Sequence, residues 1–348
     1  MAHRRSHGPG LDGILVVAKP AGPTSHDVVA LVRRLAATKR VGHGGTLDPF
    51  ASGVLPIFLG RATRVVEYHI ADRKSYRATI CFGATSTTDD LEGELTPVGG
   101  DLVTRLTVEA ALPRFVGSIV QRPPAFSAVK VAGRRAYALT RAGQQVEIAP
   151  RPVEIHRLDL MTWDGADPAR PIAVVEVDCS AGTYIRALAR DLGEAVGSGA
   201  YLGALVRTAS GPFRIDDAIP LDELRSAAAA GPDALQTRLL PIDFGLDAFP
   251  VVPLTDSEVE AVGRGQIVRP SAPVGRLDAS HVRLIGRDGA LVAIAAPRGE
   301  RLAPDKVFIA ATAAGGLGAA PQTADAEVAA ELDPPPDVDP DPASPDDV

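Results

Sequence analysis

Apolar and polar positions along the chain predict a protein of both strands and helices. Gly13 to Ala18 is a short unbroken apolar run, the pattern of a buried strand. Thr24 and Ser25 then offer helix N-caps, with Asp27 in the first turn. Val28, Val29, Leu31, Val32 and Leu35 recur at helical spacing, with Arg33 and Arg34 on the opposite face. Residues 41–60 are rich in Gly and Pro and read as a loop. A short helix is expected over Thr63 to Ile70, a strand over Ser75 to Phe82, and helices over Thr107 to Phe115 and Arg135 to Ala142.

Further along, Val153, Ile155, Leu158 and Leu160 predict a strand with an irregular middle, and Ile172 to Cys179 a β-branched strand. Tyr184 to Val196 reads as a helix that places Ile185, Leu188, Ala189 and Leu192 on one face. Tyr201 to Thr208 reads as a strand and Leu221 to Ala230 as a helix. The Pro- and Phe-rich stretch from Pro241 to Pro253 reads as a domain joint. Short strands at His281 to Ile285, Leu291 to Ala295 and Lys306 to Ala310, separated by Asp-Gly and Arg-Gly turns, predict a small β-rich unit. No internal repeat is visible.

At 348 residues, this pattern gives roughly two domains at about 150 residues each. A content of 45% hydrophobic and 23% charged residues excludes a wholly disordered or collagen-like chain. No apolar run approaches the ~20 residues that span a bilayer, and the apolar stretch at Ile14 to Ala18 is too short for a signal-peptide core. Cys81 and Cys179 cannot make a disulfide framework and read as buried thiols in a reducing cytoplasm.

Charge changes the picture more than composition does. The net charge of -7 hides a division. Residues 313–348 hold nine acids and no Lys or Arg, and their Ala-Pro-Asp-Gly composition predicts a disordered tail. The first 80 residues carry 12 Lys and Arg against 5 Asp and Glu. A basic segment in a near-neutral body predicts one face suited to an anion such as nucleic acid.

Candidate chemistry is narrow. The seven histidines (3, 7, 26, 43, 69, 156 and 281) form no pair at metal-ligand spacing, and the two cysteines lie far apart. No phosphate loop, dinucleotide fingerprint or nucleophile elbow is present. What remains is chemistry that a carboxylate can run alone, without metal or cofactor, or no chemistry. The densest unusual segment is Gly42-His43-Gly44-Gly45-Thr46-Leu47-Asp48-Pro49-Phe50-Ala51-Ser52-Gly53-Val54-Leu55-Pro56. Its glycines allow tight turning and close approach of a ligand, and Pro49 biases Asp48 toward extended backbone. Taken alone, an Asp-Pro aspartate is more often a turn residue that binds nearby amides.

That segment resembles the catalytic motif of the TruB family of tRNA pseudouridine synthases. Three further segments fall in the family's order: Lys19-Pro20-Ala21-Gly22-Pro23-Thr24-Ser25-His26, Lys74-Ser75-Tyr76-Arg77-Ala78, and Ser180 to Gly193. Gln121 to Val131 with Arg135-Ala136-Tyr137 resembles the family's inserted RNA-gripping segment, and Tyr201 to Thr208 its late strand. The resemblance covers about residues 11–247.

The resemblance implies an α+β catalytic domain over 11–247 with a mixed, mostly antiparallel sheet flanked by helices. It places the gripping insertion at about 118–150. A small β-rich PUA-like domain would follow over 250–312 and bind the acceptor stem, with residues 1–10 flexible and the acidic tail at 313–348 off the RNA face. The implied reaction turns uridine in the T-loop of tRNA, at the position the family numbers 55, into pseudouridine. Asp48 would be the essential carboxylate, attacking the sugar C1′ or the base C6, or abstracting a proton to give a glycal. Arg186 would be its cation, orienting it through a bidentate fork. Tyr76 would stack beside the base, Tyr184 and Leu205 would line the pocket, and His43 would help fill the vacated stack. Lys19, Arg33, Arg34, Lys39, Arg40, Arg61 and Lys130 would meet phosphates. The partner would be tRNA through its T-loop and stem, with no cofactor, guide RNA or membrane, and the protein would be a cytoplasmic monomer. Two other readings share these residues: a tRNA-folding chaperone that flips and clamps without isomerising, and a synthase guided by a partner RNA.

Overall fold

The computed structural model describes residues 11–99, 102–127, 130–131, 134–135, 148–271 and 279–309. The first ten residues and the acidic tail lie outside them, as does most of the gripping insertion, including residues 136–142 of the expected helix there. Arg134 and Arg135, at the start of that region, lie in a strand.

The chain opens with β1 (Gly13–Lys19) and α1 (Ser25–Leu35). Thr24 caps α1: its hydroxyl accepts from Asp27 N at 3.1 Å, and Asp27 Oδ2 accepts from Thr24 N at 2.8 Å, a reciprocal capping box. β2 (Val41–His43) and β3 (Ser52–Leu59) follow, so the expected loop over 41–60 is corrected. Its Gly and Pro residues do not interrupt the sheet, because Pro56 stands where β3 needs no donor. The partner strand on that edge ends at His43, which pairs with Ile57, and Pro56 only accepts, from Gly44 N at 3.0 Å.

A 3₁₀ turn (Gly60–Val65) leads into α2 (Val66–Ile70), and β4 (Lys74–Phe82) returns through the sheet. Lys74, buried, caps this turn by donating to the carbonyls of His69, Ile70 and Asp72. A hairpin of β5 (Ala84–Ser86) and β6 (Leu95–Pro97) precedes α3 (Arg105–Ala111) and β7 (Gly117–Gln121). The two-residue strands β8 (Lys130–Val131) and β9 (Arg134–Arg135) pair with each other. β10 (Arg151–Asp164) and β11 (Ile172–Cys179) form a long antiparallel pair, with register shifts at Ile155/Arg157 and Leu160/Thr162 that account for the irregular middle. Next come α4 (Ile185–Ala195), β12 (Ala200–Ser210), β13 (Phe213–Arg214), β14 (Ile219–Pro220), α5 (Leu221–Ala230) and α6 (Pro232–Gln236).

Among the described residues the main sheet has ten strands in the order β14-β1-β3-β12-β4-β11-β10-β7, with β2 paired to β3 and β13 to β12. The β14–β1 and β3–β12 pairs are parallel and the rest antiparallel, the mixed sheet expected of the α+β class. α4 buries Ile185, Leu188, Ala189 and Leu192 in one cluster with Ile80, Val175 and Leu202 of the sheet. α1 buries Val28, Val29 and Val32 in another with Leu15, Val17 and Ile57.

The C-terminal part is built from β15 (Val251–Pro253), α7 (Asp256–Gly263), β16 (Val282–Ile285), β17 (Leu291–Arg298) and β18 (Arg301–Val307). Its strands make a four-stranded sheet in chain order. It has an apolar core of its own, in which Val252, Leu254, Val282, Leu284 and Leu302 are buried, and it also packs against the first part. Ile294 and Phe308 share a core with Ile14, Val54, Phe58 and Phe213. Arg64 donates to Val307 O at 2.7 Å, Tyr68 to Asp305 at 3.1 Å, and Lys306 pairs with Glu67 at 2.9 Å.

Candidate active site

Asp48 lies on the segment between β2 and β3, and three buried or half-buried side chains from outside hold that segment by its backbone. Lys19 Nζ, at the end of β1, donates to Pro49 O at 3.2 Å, Ala51 O at 2.7 Å and Pro20 O at 3.0 Å. Ser25, in the first turn of α1, accepts from Leu47 N at 2.9 Å and donates to Leu47 O at 3.0 Å. Arg207, on β12 and 1% exposed, donates through Nε to Val54 O at 2.7 Å, through Nη1 to Thr46 O at 3.3 Å and through Nη2 to Gly45 O at 3.1 Å. Gly53 is required here. Its φ is +112°, and a Cβ would stand 2.2 Å from the Arg207 carbonyl oxygen.

The Asp48 side chain keeps 37% of its surface accessible and faces Arg186 in the first turn of α4, with Oδ2 3.1 Å from Nε. The expected bidentate fork is corrected: Nε faces Asp48 as an ion pair without an aligned hydrogen bond, and the terminal nitrogens are committed elsewhere. Nη1 reaches Asp90 Oδ2 at 3.1 Å and Thr88 O at 3.2 Å, and Nη2 reaches Phe126 O at 2.8 Å. Asp90 is buried and also accepts from Thr88 Oγ1 at 2.5 Å and Glu92 N at 3.0 Å. One turn on, Arg190 repeats the pattern, with Nη1 2.7 Å from Asp89 and Nη2 2.9 Å from Arg122 O.

Opposing influences set the charge on Asp48. Loss of solvent raises its pKa above the ordinary value and is the largest cause, the Arg186 cation lowers it, Asp90 raises it and Lys19 lowers it, with a raised value as the outcome. Burial lowers Lys19 to about 8. His43 accepts from Gly45 N at Nδ1 across 3.2 Å and meets His26 edge to face, with ring centroids 5.7 Å apart. Burial, His26 and Arg207 together lower it to about 4, so its ring is neutral at pH 7.

Tyr76 on β4 and Arg207 on β12 are direct cross-strand partners; burial raises the Tyr76 phenol and the Arg207 cation opposes that rise. Tyr76 and Phe50 pack at the border of the apolar cluster that contains Leu47 and Leu205. Tyr184 is the N-cap residue of α4, and the Arg151 guanidinium lies 4.7 Å from its ring centroid.

The structure therefore brings His43, Asp48, Tyr76, Arg186 and Leu205 into one neighbourhood around the glycine-rich segment. The expectation for Lys19 is corrected: its ammonium is buried among three carbonyls and offers nothing to a phosphate. Arg33, Arg34, Lys39 and Arg40 are exposed around the end of α1, where the first three line one shallow depression. Arg33 also donates to Val41 O at 3.1 Å. Arg61 is exposed and pairs with Asp12 at 2.7 Å. The side chain of Lys130 lies outside the described residues. Sequence reasoning missed Asp90 and Arg207. Arg207 left a signal, because it shares strand parity with Leu205 and so occupies an inward position with a charge. Asp90, in a run of Thr and Asp between strands, left none.

Among the described residues no group of three or more His, Cys, Asp or Glu is placed to hold a metal ion, and no helix is long and apolar enough to cross a membrane. Cys81 is half-buried and Cys179 buried, both as free thiols.

Comparison with known proteins follows the same geography. The family model described as TruB family pseudouridylate synthase (N terminal domain) matches residues 33–185, and that described as tRNA pseudouridylate synthase B C-terminal domain matches 186–247. A tRNA pseudouridine synthase B of Bradyrhizobium diazoefficiens is 47% identical over 259 residues, 74% of this chain and 74% of that protein. One from Mycobacteroides abscessus is 44% identical over 291 residues, 83% of this chain and 93% of that protein. Among solved structures, the Cbf5-Nop10-Gar1 complex holds a chain 28% identical with a TM-score of 0.66, the match covering 86% of both chains. The archaeal box H/ACA sRNP Nop10-Cbf5 complex holds one 26% identical with a TM-score of 0.64, covering 87% of this chain and 88% of that one.

Proposed function

The chain belongs to the TruB family of pseudouridylate synthases, and from that membership we propose how its residues convert uridine to pseudouridine in the T-loop of tRNA, at the position the family numbers 55. The reaction is an isomerisation. The N1–C1′ bond breaks, the base turns, and a C5–C1′ bond forms; C5 gives up a proton and N1 gains one, so the substrate atoms balance without an oxidant or reductant.

The target base must leave its stack to reach Asp48, at a cost of a few kcal/mol. Stacking on Tyr76, at ~1–3 kcal/mol per base, offsets part of it. Asp48 works at the glycosidic bond as a carboxylate. A base entering the pocket removes more water and presses toward the neutral acid; the Arg186 cation at 3.1 Å holds the charge against that pressure. Arg186 is itself fixed by Asp90 and two carbonyls, and so keeps its place while the base turns. Leu205 and Tyr184 line the pocket, and the neutral ring of His43 suits an apolar, stacking role in the gap the base leaves. Arg33, Arg34, Lys39, Arg40 and Arg61 meet phosphates.

The observation that carries this reading is the Asp48–Arg186 pair, part exposed on the acid side and buried on the cation side, at the mouth of an apolar cluster. Its test is Asp48→Asn. The variant folds and binds tRNA but forms no pseudouridine; turnover by the variant overturns the assignment.

The protein acts alone, as a monomer in the cytoplasm, with specificity read by its own surface. The likeness to Cbf5 favours the guided alternative as the second reading, since that protein is solved in a complex with other chains. Purified protein acting on unmodified tRNA with no other RNA present excludes dependence on a guide. The C-terminal part, 250–312, meets the acceptor stem.

A further inference from the structure

Tyr184 is gripped from two sides by residues that sit opposite each other in the sheet. Gln121 ends β7 and Arg151 begins β10, and the antiparallel ladder pairs them directly. Gln121 is fully buried, and its amide brackets the Tyr184 backbone: Oε1 accepts from Tyr184 N at 3.1 Å and Nε2 donates to Tyr184 O at 3.3 Å. Arg151 lays its guanidinium over the Tyr184 ring, 4.7 Å from the centroid. Its Nη2 bonds the carbonyl of Gly182, two residues before Tyr184. Its Nε is buried and without a hydrogen-bond partner. A cation held against both a ring and the backbone leading to it leaves that ring little freedom.

Two residues after Tyr184, Arg186 holds Asp48 at 3.1 Å. The start of α4 thus carries a pocket residue and the carboxylate's counter-ion two residues apart in its first turn, and Gln121 and Arg151 fix where that backbone begins. Arg151 has no contact with Asp48 among those described, so an effect of it on the reaction passes through the Tyr184 ring or through the backbone it holds at Gly182.

We propose that Arg151 is a positioning residue for the reaction: it locks the ring of Tyr184 in the orientation that lines the pocket, with Gln121 holding the backbone beneath it. The inference rests on the functional reading above, and the wild-type rate measured alongside tests that reading separately.

The experiment compares Arg151→Met, Arg151→Lys, Tyr184→Leu and the double variant Arg151→Met/Tyr184→Leu. Each is assayed by single turnover at saturating tRNA, by tRNA affinity and by thermal melting. Loss of ring orientation predicts a rate lowered ~10–100-fold in both Arg151 variants. Affinity stays within about threefold and melting within a few degrees, because the site is half-exposed. Arg151→Lys fails to rescue, because an ammonium cannot reproduce the planar stack and the bond to Gly182 together. In the Tyr184→Leu background, Arg151→Met changes the rate less than about threefold, the non-additivity of two residues acting as one. Additive effects overturn the proposal. So does recovery by Arg151→Lys with weakened affinity in Arg151→Met, which marks a phosphate contact instead. An active wild type with an unaffected Arg151→Met overturns the positioning role alone, whereas an inert wild type overturns the functional reading with it.

Discussion

Arg186 meets Asp48 with one nitrogen while its other two hold Asp90, Thr88 and Phe126. The cation is thus anchored by groups that do no chemistry, and the carboxylate is left one oxygen free of it. Asp90 carries most of the anchoring, since Arg186 is 7% and Asp90 3% exposed as side chains. Asp90→Ala strands a buried guanidinium between its remaining partners, and breaking a buried pair costs about 3 kcal/mol or more. Chemical denaturation should show that loss, with single-turnover rates falling even under conditions where the variant is fully folded.

Arg207 satisfies the carbonyls of Gly45, Thr46 and Val54 at once. Arg207→Met keeps much of the volume and none of the donors, so three acceptors beside the catalytic segment lose their partner at about 1–3 kcal/mol for each one left dry. A stability loss of about 2 kcal/mol or more is expected in urea melts, together with a lower rate. A variant as stable and as fast as wild type would mean that the segment holds its shape unaided.

Lys19 and the exposed arginines separate in a salt titration. Lys19→Met should destabilise the fold and leave the slope of log affinity against log salt unchanged. Neutralising Arg34 or Lys39 should lower that slope by about 0.7–0.9 for each phosphate left without its cation, with little change in stability. A slope that drops in Lys19→Met would contradict the clamp.

The pH dependence has two parts with one sign. His43 is depressed to about 4 from 6.5, so between those values the unfolded chain binds a proton that the folded chain refuses. Stability is therefore full above about 6.5 and declines toward 4, and His43→Asn should flatten this decline in melts across that range. Asp48 lies above its ordinary 3.8, so the acid limb of the rate should fall at a higher pH than a free carboxylate would give, with activity present on the alkaline side.

Much of this was legible in the chain. Ile172 to Cys179 and Leu221 to Ala230 occupy the elements their patterns predict, because each has an unbroken period and a clear stop. The segment 41–60 misled for a local reason. Glycine and proline count against strands, yet Gly53 is where the Arg207 backbone comes too close for a side chain, and Pro56 stands where no partner strand asks for its missing N–H. Asp48 could be singled out from its glycine-rich setting, but its partners could not. The roles of Lys19 and Arg207 depend on which carbonyls, and that of Asp90 on which guanidinium, the fold carries to them from about 30 to 160 residues away, and no spacing rule reports that.

The core that Ile294 and Phe308 share with Val54 and Phe58 links the C-terminal sheet to the strand that follows Asp48. Such a molecule behaves as a caliper with a fixed jaw: the span from the reacting nucleotide to the far sheet is set when the chain folds. An RNA that touches both must supply the matching curvature itself, and heating should release both jaws in a single step.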